Sequence, residues 1–81
     1  MKQNIQSKPL TQVNLNQKYK VVKIVADLKV KRRLLDYGFV DTCVQVINKS
    51  SLNGVYLLQI RDYVLALRES EVKCIEVIEY V

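Results

Sequence analysis

The chain has 81 residues, of which 49% are hydrophobic and 26% are charged, and its formal net charge is +5. This length allows one domain with one small core, and the composition is typical of a soluble globular protein and argues against disorder. The moderate excess of positive charge permits an acidic partner, a nucleic acid or an anionic membrane surface, but requires none of them.

The first nine residues show no hydrophobic periodicity and include the chain's only proline. We therefore predict a loose leader over residues 1–9 and a single domain over 10–81. The start lacks the apolar stretch of a secretory signal, and no apolar run approaches the roughly 20 residues that span a bilayer. We expect a cytoplasmic protein. Leu10 and Val13, three residues apart, predict a short helical turn.

A strand and a helix are predicted next. The β-branched run over 19–26 is typical of a strand. Asp27 is suited to cap a helix, because its carboxylate can accept a hydrogen bond from a free backbone N–H group. Helical spacing of apolar residues then predicts the main helix over about 28–37. Gly38 is expected to end it in a left-handed conformation.

The rest of the chain has the alternation of β structure. Strands are predicted over 43–49, 55–61, 63–68 and 74–80, with a turn cluster at 50–54, a tight turn at Asp62 and a short helical turn at 69–72. The inward-facing residues are expected to include Val44, Val46, Leu65, Leu67, Ile75 and Val77. About five short strands with one helix predict a mainly β fold, built as a small barrel.

The residue types argue against an enzyme. The chain has no histidine, and its two cysteines, Cys43 and Cys74, are far apart. Zinc and iron–sulfur sites need several soft ligands held together, and a cysteine nucleophile needs an activating base. With two glycines there is no glycine-rich phosphate loop. We predict no catalytic residue, no cofactor and no metal site. The cysteines are expected to be buried, reduced thiols, although a disulfide between them stays open.

The candidate binding residues are basic. Lys29, Arg32 and Arg33 share one face of the predicted helix, with Lys31 opposite. This face could dock an acidic partner or a phosphate backbone, although the commoner role of such a face is to keep a helix solvated. Tyr56 and Tyr63 could stack on bases, but as strand residues they are expected to pack in the barrel. We predict no nucleic-acid partner.

Six short segments, in their order and spacing, resemble the FeoA family over about residues 10–77. They read Leu10-Thr-Gln-Val13, Val21-Val-Lys-Ile24, Arg33-Leu-Leu-Asp-Tyr-Gly38-Phe39, Leu65-Ala-Leu-Arg68, Ser70-Glu71-Val72 and Ile75-Glu-Val77. The family commonly has Gly where this chain has Asn16, Tyr19, Thr42 and Asp62, and Pro where it has Asp41. Asn16 and Asp62 tolerate left-handed turns, whereas Tyr19 and Thr42 imply turns that are built differently.

The resemblance implies an SH3-like barrel and a non-catalytic accessory protein of bacterial ferrous iron uptake. Its partner would be the membrane iron transporter, through the transporter's cytoplasmic GTP-binding region, and the chain itself would neither hydrolyse GTP nor carry iron. The candidate contacts are Lys29, Arg32 and Arg33 on the helix and the groove beside Arg68. The alternative is a stand-alone SH3-like domain that binds a peptide or a regulator, like the C-terminal domain of iron-dependent repressors. The oligomeric state, weak metal-ion binding and the direction of the effect on transport stay open.

Overall fold

One antiparallel sheet of six strands forms the fold in the computed structural model, which describes residues 6–50 and 52–80. The strands are β1 (Lys8–Pro9), β2 (Tyr19–Ile24), β3 (Cys43–Ser50), β4 (Val55–Ile60), β5 (Tyr63–Arg68) and β6 (Ile75–Glu79). The helices are α1 (Leu28–Tyr37) and α2 (Glu69–Val72), and a 3-10 turn covers Leu10–Gln12. The mainly β class with one main helix is confirmed.

The strand order is β1-β6-β2-β3-β4-β5, which leaves β1 and β5 at the two edges. Helix α2 packs against β4, β5 and the 3-10 turn, and that turn packs against β6. These short connections therefore bridge the two edges, and the sheet curls into a partly open barrel. The hydrophobic core fills its interior, and no polar or charged residue among those described is buried there.

The predicted inner face matches the core closely. Val44, Val46, Leu67, Ile75 and Val77 are buried, and Leu65 is partly buried against the same cluster. Strict alternation explains this agreement, because successive side chains of a strand point to opposite faces.

Both predicted ends of α1 are confirmed. The Asp27 carboxylate accepts a hydrogen bond from the Val30 amide at 2.9 Å. Gly38 has φ 106°, and its amide donates to the Leu35 carbonyl at 3.0 Å. A Cβ atom at Gly38 would also lie 3.0 Å from the Tyr63 hydroxyl, so both backbone angle and space favour glycine here.

The backbone angles of three turns can be compared with the glycine and proline positions of the FeoA pattern. Asn16 has φ 64°, as expected of a residue that replaces glycine. In the β4–β5 turn, however, the left-handed residue is Arg61 (φ 57°) and not Asp62. Asp41 has φ 50°, an angle that the proline ring cannot adopt, so the loop before β3 is built without the family's proline geometry.

Three further expectations need correction. Lys8 and Pro9 are not part of a loose leader, because they pair with Val77 and Glu76 along the outer edge of β6, where a proline without an N–H group is tolerated. Residues 1–5 lie outside the described part of the chain. Tyr56 is buried as expected, but Tyr63 is exposed, because its hydroxyl reaches out to donate to the Tyr37 carbonyl.

The third expectation that needs correction is the burial of the two cysteines. Both are free thiols, and both are partly exposed where burial was expected. Cys43 is the first residue of β3 and Cys74 lies just before β6, so each sits at the end of a strand. The Cys74 thiol donates to the Ser70 carbonyl at 3.4 Å.

Candidate functional site

Two of the four candidate contact residues, Arg33 and Arg68, meet at one groove. The groove lies between the start of α1 and α2, and it is lined by Ala26, Asp27, Val30, Arg33, Arg68, Ser70, Glu71 and Cys74. Residues from 26 to 33 thus face residues from 68 to 74, which the sequence separates by more than thirty positions. A groove therefore lies beside Arg68, and residues from both segments line it.

Glu71 organises this groove. One of its carboxylate oxygens accepts from the Arg68 amide at 3.3 Å, and the other lies 3.6 Å from Arg33 Nη1. The first contact fixes the start of α2, since it satisfies an amide that has no partner within the helix. The second holds the half-exposed Arg33 side chain, but a solvent-exposed pair of this kind contributes only about 0.2–1 kcal/mol.

Arg68 is the cation that stays available in the groove. It is exposed, and its guanidinium makes no ion pair within residues 6–50 and 52–80. The Asp27 carboxylate is occupied by its helix cap, and Glu71 by Arg33. A guanidinium can bind a carboxylate through two parallel hydrogen bonds, so this groove suits an acidic group on a partner.

Lys29 and Arg32 lie elsewhere on α1. Both are exposed, and neither lines the groove at Arg68. The helical periodicity correctly placed them on a solvated face, but periodicity alone could not show which basic residue of that face would meet Arg68.

A second groove, between α1 and β2, was not predicted from the sequence. Val22, Leu35 and Val40 line it and remain 44%, 39% and 51% exposed, and the buried Phe39 also lines it. The available signal was Leu28 and Leu35, seven residues apart beside the core-facing stripe of the helix. Helical spacing shows that such residues share a face, but not whether that face is covered.

Two other kinds of functional feature are absent from residues 6–50 and 52–80. These residues contain no group of three or more His, Cys, Asp or Glu residues placed to hold a metal ion. None of the helices in residues 6–50 and 52–80 is both long enough and apolar enough to cross a membrane.

Comparison with known protein families gives one match, to the FeoA domain, over residues 8–79. Among curated proteins, none matches this chain.

Solved structures agree with that match. A FeoA-like protein from Clostridium acetobutylicum is 34% identical, with 93% of this chain and 88% of that chain covered and a TM-score of 0.82. FeoA from Stenotrophomonas maltophilia, solved with zinc, is 30% identical over 85% of this chain and 87% of that chain, with a TM-score of 0.73. It is described as a procaryotic SH3 domain protein and a candidate ferrous iron transport activating factor.

A third structure shows a similar fold in a different setting. A manganese-dependent transcriptional repressor has a TM-score of 0.85 at 18% identity, with 96% of this chain and 44% of the repressor covered. At this identity the likeness concerns the fold alone.

Proposed function

The chain belongs to the FeoA domain family, and on that basis we propose that it is a non-catalytic accessory protein of bacterial ferrous iron uptake. It acts in the cytoplasm by binding the cytoplasmic GTP-binding region of a membrane iron transporter. The observation that carries this proposal is the family match over residues 8–79. The similarity to a protein described as a candidate ferrous iron transport activating factor supports it.

The contact is made by the basic side of α1 and by the groove beside it. The proposed residues are Lys29, Arg32, Arg33 and Arg68. All four are exposed, and Arg33 and Arg68 line the same groove. The net charge of +5 favours encounter with an acidic surface, and such attraction raises association rates more than it raises affinity.

Binding of this kind affects transport only if it distinguishes conformations of the transporter. A domain that binds two states equally well shifts no equilibrium, however tightly it binds. The proposal therefore requires that the affinity differ between the GTP-bound and nucleotide-free states of the transporter's cytoplasmic region.

Calorimetric titration of the chain with that region tests the proposal. We expect binding in at least one nucleotide state, and an affinity lowered about threefold to tenfold by Arg68→Gln. The matched control is Lys49→Gln, which removes one exposed positive charge from β3 and is expected to change the affinity less than twofold. An absence of binding in both nucleotide states would overturn the proposal.

A second candidate function is a stand-alone SH3-like domain that binds a peptide or a regulator. The repressor fold likeness favours it, because that domain type occurs there within a larger regulatory chain. Saturable binding to a repressor-derived segment, with no binding to the transporter region, would select this second function.

A further inference from the structure

Strand β2 lies between β6 and β3, but its last residues, 22–24, have no neighbouring strand on the β3 side. The ladder between β2 and β3 is limited to Tyr19 opposite Val44 and Lys20 opposite Cys43, followed by one hydrogen bond from the Val21 amide to the Thr42 carbonyl. Beyond that point, Lys23 and Ile24 have ladder partners on β6 alone. Residues 22–24 make no other backbone hydrogen bond within the described part of the chain. One side of this stretch is therefore free to pair.

The irregularity at Val22 explains why the edge opens. The register between β2 and β6 shifts between Val21 and Lys23, which indicates a bulge at Val22. A bulge bends its strand and increases the local twist. From this point β2 leaves β3, and an open groove lies between β2 and the residues of α1 and of the loop that follows it.

The space beside this edge is a groove of about 320 Å³ that both apolar and charged side chains line. Leu35 of α1 and Val40 of the following loop line it together with Val22 of β2. A groove bounded by a free strand edge and apolar side chains has the two elements by which proteins bind an added strand. The backbone supplies hydrogen bonds, and the pockets select alternate side chains.

The charged residues around the groove favour a ligand with acidic side chains. Lys23 and Lys31 line it, against the single carboxylate of Asp41. Neither lysine forms an ion pair with any residue in 6–50 or 52–80. An occupant with an acidic side chain next to an apolar one is therefore favoured over a basic one.

We propose that the groove between β2 and α1 binds an extended acidic segment of a partner protein as an added strand on residues 22–24. An apolar side chain of the segment packs against Leu35 and Val40, and an acidic side chain lies beside Lys31. The inference rests on the proposed function only in that it names the transporter's cytoplasmic region as the source of the segment.

A peptide titration tests the binding chemistry without the transporter. The isotope-labelled full chain is titrated with the blocked peptide Glu-Thr-Val-Thr-Val-Thr-Glu and, separately, with the same peptide carrying Lys in place of Glu. We expect saturable shifts in the amide resonances of residues 22–24, Leu35 and Val40 with the acidic peptide. Binding of the basic peptide is expected to be at least tenfold weaker. An absence of shifts at millimolar peptide, equal binding of both peptides, or shifts confined to other strands would each overturn the inference.

Leu35→Glu places a negative charge in the groove and is expected to weaken acidic-peptide binding at least tenfold. Leu52→Glu makes the same change at a side chain that is 95% exposed in the β3–β4 turn, and binding should stay within twofold of the original chain. Val40→Glu is a second groove variant, for use if Leu35→Glu loses its folded spectrum. Full binding by the folded groove variant would contradict the inference.

Two other occupants have distinct outcomes. A dimer in light scattering that Leu35→Glu converts to a monomer of 9.4 kDa would assign the groove to a second copy and overturn the inference. Binding to vesicles of phosphatidylglycerol and phosphatidylethanolamine that depends on Leu35, with no peptide binding, would assign it to a membrane and overturn it as well.

The two proposals fail separately. If the acidic peptide binds at the groove but the transporter region does not bind the chain, the proposed function fails and the groove assignment stands. If the transporter region binds the chain but the acidic peptide does not, the groove assignment alone fails.

Discussion

Arg61 holds a backbone conformation that residues with a Cβ atom rarely adopt. Its φ of 57° lies in the left-handed region, at the turn that joins β4 to β5. For a residue other than glycine, this region costs roughly 1–2 kcal/mol. The side chain lines a shallow polar depression with Lys18 and makes no ion pair within residues 6–50 and 52–80, so no contact of that kind offsets the cost.

Replacing this residue is expected to stabilise the domain. Arg61→Gly relieves the strained angle but adds freedom to the unfolded chain, so the net gain in unfolding free energy should be about 0.5–1 kcal/mol. The measurement is the urea midpoint at neutral pH. Arg61→Ala is the matched control, since it removes the same charge but keeps a Cβ atom, and it should bring no comparable gain. Equal stabilisation by both variants would show that charge, and not backbone angle, is the cause.

Tyr56 makes the free energy of unfolding depend on pH in the alkaline range. Burial raises the pKa of its phenol above the ordinary 10.0, and the negative charge of Glu69 raises it further. The unfolded chain therefore loses this proton first as the pH rises. The stabilisation from neutral Tyr56 is complete below the unfolded pKa and is lost as the pH rises through the folded pKa.

Tyr56→Phe should accordingly flatten the fall in stability between about pH 9 and 11. Urea unfolding across this range checks it. The control is Tyr80→Phe, which alters an exposed phenol and should keep the original slope. A slope in Tyr56→Phe as steep as in the original chain would mean that this phenol titrates alike in the folded and unfolded states.

At the scale of elements, α1 is attached to the core by one fully buried residue, Leu34, and by the partly buried Val30. Leu34 is fully buried, whereas Leu28, Leu35 and Tyr37 of the same helix are exposed. Two polar contacts add to this attachment, towards β5 and α2: the Tyr63 hydroxyl donates to the Tyr37 carbonyl, and Arg33 pairs with Glu71. The helix therefore leaves its other side free to form the groove with β2.

Leu34→Asp should unfold the domain. The change removes a fully buried side chain and puts an unpaired charge in the core, at an expected cost of at least about 4 kcal/mol, close to the whole stability of a chain this small. A thermal melt by circular dichroism measures it. Leu52→Asp introduces the same charge at an exposed turn residue and should keep a melting temperature near that of the original chain. A cooperative melt of Leu34→Asp at an unchanged temperature would refute the placement of this residue.

The elements that the sequence predicted are those governed by local rules. Asp27 and Gly38 end α1 through contacts within four residues, and the alternation in β6 alone places Ile75 and Val77 in the core. The α1–β2 groove depends on where β2 leaves β3, next to the bulge at Val22, and both follow from the pairing of β2 with distant strands. Exposure of Leu35 follows from this distant event, so helical periodicity could not predict it.

At the scale of the molecule, the basic side of α1 lies between two grooves. Arg33 and Arg68 line the one towards α2, and Lys23 and Lys31 line the one towards β2. The resemblance to the FeoA family directed attention to the first groove. The second groove is formed by the sheet and the helix together, so no single stretch of the sequence predicts it. We propose that both contribute to one binding side of the domain.

The most direct test of this account is an NMR titration of the isotope-labelled chain with the transporter's cytoplasmic region, with and without GTP. The account predicts that amide resonances of Val22, Lys31, Arg33, Leu35 and Arg68 shift or broaden, to a different degree in the two nucleotide states. Resonances of Asn48 and Lys49 on the β3–β4 hairpin should stay in place. Resonances that stay in place throughout the chain in both nucleotide states would contradict the account.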